Sequence, residues 1–562
     1  QARSPRQNPV ILGFPPQMFP VPSYASDAFM QETERWYAAV GEVIAPALYP
    51  SGPVVLLQVD NEAAYYFRNG PYDQDYHPDA LRQWSVFLLE RYRSLTALNE
   101  AYGTSYARFE QVQAPRHFTG QGPRDLVIHL DWAAFQEALL GRAIARMRVA
   151  MEEAGMHSVP MVHNVPLGDG GLPLNVPALS EVVDVVGFDY YHPAREYKVI
   201  KRRTLYLAGT TDYAFAPELG IGAPPWFTPL SNRDSLFCAQ TACAFGLRGF
   251  NLYMAVDRDR WYGAPIDAQG NPRVEAGLWK QWLTALQEHG FHQLERRVEV
   301  ALMVPREYAR LSRATHLLGP ISPSTLEAIG GTPVDACRED DLGFPGPIQV
   351  LWWRMLDKIA SALSEASIPY VFIDSAADLS RYAGIRLVFT PTFEFVDVER
   401  WQQLVQLGGR GVQIVYGPAQ PTLDGSMRRR PFEMPQGARQ VQLDTPADAR
   451  ALVRGLQSSL GLDPGFCCEP RFVEVAVHED AQGPRLLFVI NPSDRLVKTE
   501  LRVPTPMWMR DVFSHEPFVA EQDRRCLLPM SAHSCRMLVV EALEQEGKMH
   551  ADGGSSGPQS VG

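Results

Sequence analysis

Between residues 54 and about 297, short apolar runs alternate with amphipathic segments, and that rhythm leaves few folds open. The apolar runs are 54–60 "VVLLQVD", 159–163 "VPMVH", 182–189 "VVDVVGFD", 212–219 "DYAFAPEL" and 249–254 "GFNLYM". Helical patterns lie between them. In 79–92, Leu81, Trp84, Leu88 and Tyr92 share one helical face. Residues 131–154 are rich in Ala and Arg, which favour helix. Near-continuous apolar strands separated by helices predict a parallel sheet covered on both faces. A doubly wound sheet and a barrel both satisfy the pattern.

The alternation restarts near 298. "VEVALMVP", "PYVFID", "RLVFTPT" and "GVQIVYG" read as strands, with helices at "IQVLWWRMLDKIASALSEASI" and about 397–407, as in a small flavodoxin-like sheet. From about 469 the pattern loses its helices. "RFVEVAVHED", "RLLFVINPS", "VKTELRV" and "RMLVVEA" predict a small antiparallel β domain. The expected division is 1–297, a (β/α) barrel-type catalytic domain; 298–445, flavodoxin-like; 446–468, a linker; 469–543, antiparallel β; and 544–562, a disordered Gly/Ser-rich tail. A chain of 562 residues needs several cores in any case.

The net charge of −12 argues against a nucleic-acid or anionic-membrane partner, because such binding needs clustered Lys and Arg. No apolar run is long enough for a transmembrane helix. The seven cysteines include no C-x-x-C pair, so no metal site is expected, and free thiols favour a reducing compartment, hence a cytoplasmic location.

Glu62 follows the run 54–60, and Glu218 closes the run 212–219. Side chains at the carboxyl ends of parallel strands face the mouth of the sheet, where active sites sit. Two such Glu about 5 Å apart would fit a retaining glycosidase, one as acid/base and one as nucleophile. Asn61 is placed to hydrogen-bond a sugar hydroxyl. Tyr65, Tyr66, Tyr190, Tyr191, Trp226, Tyr253, Trp261 and Tyr262 all follow strand ends and offer rings to the apolar faces of sugars. His163 and His192 also follow strands, as pocket-lining or orienting groups or as plain loop residues. Asp60 and Asp189 are read as supporting partners of the site residues or, the preferred reading, as plain structural caps.

These residues carry a resemblance. "GPVVLLQVDNEAAYY" resembles the acid/base signature of the β-galactosidases of glycoside hydrolase families 35 and 42, and "ALRQWSVFLLERYRSLTALNEAYGTSY" is similar to the segment that follows it there. "GFNLYMAVDRDRWYGAPID" resembles the last barrel strand and loop of family 35, and "APELGIGAPPWF" stands where these families place the nucleophile. The units after 298 resemble the later domains of family 42. The resemblance implies a (β/α)8 barrel, Glu62 as general acid/base, Glu218 as nucleophile and Asn61 as hydroxyl binder; position after strand ends adds His163, Tyr191, Trp226, Tyr253 and Trp261 as expected sugar-binding residues. It implies a β-galactoside substrate, no cofactor, and a dimer or trimer. "ILGFPPQMFPVPSYASDAF" is similar to the segment after the third barrel strand, so a barrel incomplete at its N-terminal side is expected. Two alternatives stay open: another β-glycosidase such as an exo-β-glucosaminidase, and a non-catalytic sugar-binding or scaffold protein.

Overall fold

The computed structural model describes residues 22–65, 70–166, 173–222, 229–317, 331–332 and 334–541. Trp226, Tyr66 and the tail 544–562 lie outside the described residues. Five parallel strands stand side by side in chain order: β1 (Leu57–Gln58), β2 (Met161–Val165), β3 (Val185–Phe188), β4 (Phe215–Gly220) and β5 (Gly249–Tyr253). The helices between them include α2 (Pro78–Tyr92), α3 (Leu95–Tyr102), α4 (Pro123–Glu153), α5 (Val176–Ser180), α6 (Tyr197–Thr210) and α7 (Asn232–Phe245), with α1 (Asp27–Ile44) before β1 and α8 (Val274–Glu288) after β5. Local sequence starts several of them. Ser26 accepts a hydrogen bond from the Phe29 amide at the head of α1, and Ser231 with Asp234 forms a reciprocal cap on α7.

β2 is buried along its whole length, as its apolar run predicts. β1 is not. The run 54–60 yields a two-residue strand with half-exposed side chains, because among the described residues it pairs only with β2. At the opposite edge, β5 is only partly buried. Trp36 and Val43 on α1 and Val274 on α8 are exposed, so apolar surface flanks both edges of the sheet.

The second sheet is flavodoxin-like. Its first strands are β6 (Val300–Val304), β7 (Tyr370–Asp374) and β8 (Leu387–Thr392). Gln413–Pro418 and Arg439–Gln440 extend it, so that the first strand lies between the second and third. Residues 446–468 do not form the expected linker. Pro446–Leu460 is a helix, capped by Thr445 and Asp448, that buries Ala449, Leu452, Val453 and Leu456, and Cys467–Glu469 is a strand. The C-terminal unit is antiparallel as expected, but carries strands at Met507–Asp511, Pro517–Ala520 and Arg525–Met530 beyond those legible in sequence.

α6 joins the three units. On the side of the second sheet, the Tyr206 hydroxyl donates to Asp374 at 2.7 Å. Toward the C-terminal unit, Lys201 pairs with Glu474, which also accepts from the Tyr197 hydroxyl at 2.9 Å. Toward the first sheet it carries Arg203, fully buried.

Candidate functional site

The chain leaves β1 through a sharp kink. Asp60 and Glu62 both have positive φ, 57° and 49°. Asp tolerates the left-handed region; Glu has no such excuse, and strained backbone of this kind collects at functional sites. The kink is pinned from β2. Asn164 Oδ1 accepts from the Glu62 backbone amide at 2.9 Å and from Gln58 Nε2 at 3.1 Å. Asn61 Oδ1 accepts from Gln58 Nε2 at 3.0 Å and from Asn164 Nδ2 at 3.2 Å. Both bonds to Asn61 use its carbonyl oxygen, which leaves Nδ2 to donate.

Glu218 is aimed by a different device. Between Ala216 and Leu219 the β4–β5 register slips: three steps along β4 face two along β5. Pro217 has no N–H to give the ladder, so the extra residue is accommodated there as a bulge. The Tyr191 hydroxyl hydrogen-bonds the Glu218 carboxylate. Gly220 makes room, since a Cβ at that position would overlap the Tyr191 ring. Trp261 is 1 % exposed, lies edge-on to Tyr191 and Tyr253, and donates its Nε1–H to the Ile221 carbonyl at 2.7 Å.

The two glutamates meet. Oxygens of Glu62, Asp189 and Glu218 all lie within 4.8 Å of one another. Asp189 directly follows β3, with a solvent exposure of 0 %. Its Oδ2 accepts from Asn164 Nδ2 at 2.9 Å, and its backbone carbonyl accepts from Arg203 at 3.0 Å. The Arg203 guanidinium also covers the Phe188 ring at 4.9 Å. Two carboxylates at 4.8 Å repel by about 3 kcal/mol at an effective dielectric near 20, so three cannot all be ionised in a buried site. Burial accordingly raises Glu62 to about 7, with the Glu218 charge adding to the rise and a hydrogen bond to Asp189 and the Arg203 charge opposing it. Burial also raises Glu218, and the Tyr191 hydroxyl opposes that rise. Asp189 is pushed well above the usual carboxylate range, first by burial and then by its two acidic neighbours.

Of the residues singled out in sequence, Asn61, Glu62, Tyr191 and Glu218 converge, with Tyr253 and Trp261 packed behind Tyr191. His163 is fully buried below this mouth, its Nδ1–H donating to the Val59 carbonyl at 2.7 Å. His192 turns to Glu196 at 2.8 Å. The sequence pattern placed Asn164 beside His163 after a strand but not as a hub, favoured a cap for Asp189 over a supporting partner, and gave no sign of Arg203. Asp189 had the same strand-end signal as Glu218, but an acid after a strand is usually a cap.

Residues 21–227 match the glycoside hydrolase family 42 model, described as "Beta-galactosidase". The stretch 21–227 is thus of the glycoside hydrolase family 42 type. Among solved structures, the β-galactosidase from Bacillus circulans sp. alkalophilus superposes with a TM-score of 0.70 at 15% identity, over 92% of this chain and 83% of that one. That likeness carries the fold: the five-stranded parallel sheet corresponds to part of a TIM barrel. The chain is 24% identical to a "Beta-1,2-glucosyltransferase" of Ignavibacterium album, over 72% of this chain and 59% of the relative. It is 26% identical to an "Exo-beta-D-glucosaminidase" of Pyrococcus horikoshii, over 24% of this chain and 17% of the relative. The chain thus spans less than two thirds of the curated relatives it matches. No described helix is long and apolar enough to cross a membrane.

Proposed function

We propose that this chain is a retaining glycoside hydrolase that releases terminal β-D-galactosyl residues by double displacement. The observation that carries the reading is the Glu62–Glu218 pair, with oxygens within 4.8 Å, close to the separation that retaining enzymes use and short of the inverting range. Glu62, raised to about 7, holds a proton at neutral pH and donates it to the glycosidic oxygen. Glu218, oriented by Tyr191, attacks the anomeric carbon and forms the glycosyl-enzyme. Glu62, now ionised, takes a proton from the water that hydrolyses it. Asn61 Nδ2 donates to a sugar hydroxyl. Tyr191 and Tyr253 form the aromatic wall, which Trp261 braces, and Trp226 is assigned to the same sugar site. His163 supports the β1 kink from beneath.

The Ignavibacterium relative favours a second reading of the same chemistry, in which a sugar hydroxyl rather than water attacks the glycosyl-enzyme. Purified chain incubated with chromogenic β-galactoside, β-glucoside and β-glucosaminide decides between them. Hydrolysis with retained anomeric configuration, lowered about 10²–10⁴-fold by Glu62→Gln and abolished by Glu218→Gln, is the expected result. Oligosaccharide products instead of free sugar would favour transfer. A folded chain without turnover on any glycoside would leave a non-catalytic sugar-binding role.

A further inference from the structure

Asp189 is the buried group that this mechanism leaves unused. Its Oδ2 has Asn164, but its Oδ1 is buried and meets no N–H or O–H donor among the described residues. Beside it stands another acceptor, the Glu62 carboxyl. Two carboxyl groups whose oxygens lie within 4.8 Å of each other in a buried site are stabilised by sharing a proton. The charge count says how many protons the cluster holds. Glu62, Asp189 and Glu218 face one another, and among the described residues the charged groups acting on Asp189 are those two glutamates and Arg203. One guanidinium balances one carboxylate. Mutual repulsion and burial favour a resting site with a single ionised carboxylate, and the nucleophile must be that one.

We propose, resting on the function assigned above, that Asp189 is a positioning residue for Glu62: it keeps its own proton throughout and donates it in a hydrogen bond to the Glu62 carboxylate once Glu62 has protonated the leaving group. The balance closes at each step. In the first, the Glu62 O–H bond breaks and its proton goes to the glycosidic oxygen as the anomeric C–O bond breaks and the bond to Glu218 forms. The negative charge thereby passes from Glu218 to Glu62, still opposite Arg203 and now beside the Asp189 hydroxyl. In the second, water bonds to the anomeric carbon, the bond to Glu218 breaks, and the water proton returns to Glu62. The Asp189 proton never leaves. Burial of Asp189, which raises it well above the carboxylate range, agrees with this.

The alternative, an ionised Asp189, has the opposite sign and can be told apart. If Asp189 donates, Asp189→Asn still presents an N–H, and the basic limb of the pH profile of kcat/KM stays within about half a unit of the parent. Asp189→Ala removes the donor, leaves the Glu62 carboxylate less stable, and moves that limb to higher pH by about one unit, with kcat reduced roughly tenfold or more. If Asp189 is ionised, both substitutions remove a repelling charge and the limb moves to lower pH. That result overturns the proposal, as does Asp189→Asn matching Asp189→Ala in loss. Should Asp189→Ala fail to fold, the direction of the Asp189→Asn shift decides alone. A second readout does not need turnover. The pH dependence of the melting difference between the chain and Glu62→Gln reports Glu62 titration, with and without Asp189→Asn. Its midpoint is expected unchanged by Asp189→Asn, and a fall of a unit or more overturns the proposal. A parent chain that turns over no glycoside refutes the assigned function, while this titration still decides the state of Asp189.

Discussion

At the residue scale, a carboxyl group held protonated near neutrality leaves a mark on stability. Glu62 is raised to about 7 in the folded chain, against about 4.3 in an unfolded one. Between those values the native state holds a proton that the unfolded state has released. Its contribution is therefore fully present below about pH 4, declines as pH rises through the window, and is gone above about 7. Glu62→Gln has no such decline. Relative to the parent, the variant should gain up to about 3 kcal/mol between pH 5 and pH 8, read from urea midpoints at the two pH values. Equal differences at both would mean that Glu62 titrates normally. Glu62 and Glu218 were legible in sequence because each stands at the end of an apolar run, where a parallel sheet opens to solvent. Asn61 was legible as the amide beside Glu62. Asp189 and Arg203 were not, because their importance comes from contact across strands, and one of them lies on a helix whose polar residues look like any solvated face.

At the element scale, the sheet was legible as a set of parallel strands and its local irregularities were not. The bulge that aims Glu218 has a visible cause, Pro217, yet a proline near a strand end also reads as a simple stop. β1 shrank to two residues because an apolar run does not reveal whether it has one neighbour or two. The helix Pro446–Leu460 had full sequence signals, a Thr445–Asp448 cap and apolar residues at 449, 452, 453 and 456, masked by the polar composition around them. The bulge and the β4 terminus carry a prediction. Gly220→Ala places a methyl group against the Tyr191 ring and moves its hydroxyl off Glu218. Overpacking of this kind costs about 1–3 kcal/mol. Activity should fall at least as far as in Tyr191→Phe, which deletes the hydroxyl alone. Steady-state kinetics on the two variants checks this. Full activity in Gly220→Ala with a loss in Tyr191→Phe would show that the ring tolerates the methyl group.

At the scale of the whole molecule, α6 is where the three units share one element. Arg203 looks into the site, Tyr206 reaches Asp374 of the second sheet, and Lys201 pairs with Glu474 of the C-terminal unit. The units were legible as separate patterns in sequence; their common helix was not, because the partners of Lys201, Arg203 and Tyr206 are drawn from three distant stretches of chain. Lys201 and Glu474 are both largely buried, and the Tyr197 and Ser364 hydroxyls complete their hydrogen bonds. Removing one partner of such a pair strands the other charge, at a cost of about 3–5 kcal/mol, whereas replacing both by apolar groups is often close to neutral. Glu474→Ala should therefore lower the denaturation midpoint sharply, and Lys201→Met combined with Glu474→Leu should recover most of it. The same α6 carries Arg203, two residues from Lys201, so a displaced helix would also move a positive charge that acts on the carboxyl cluster. Glu474→Ala, far from the cleft, should then reduce kcat as well as stability, and the double substitution should restore both together. Recovery of stability without recovery of kcat would separate the two, and would assign α6 a role in docking the units but none in setting the charge of the site.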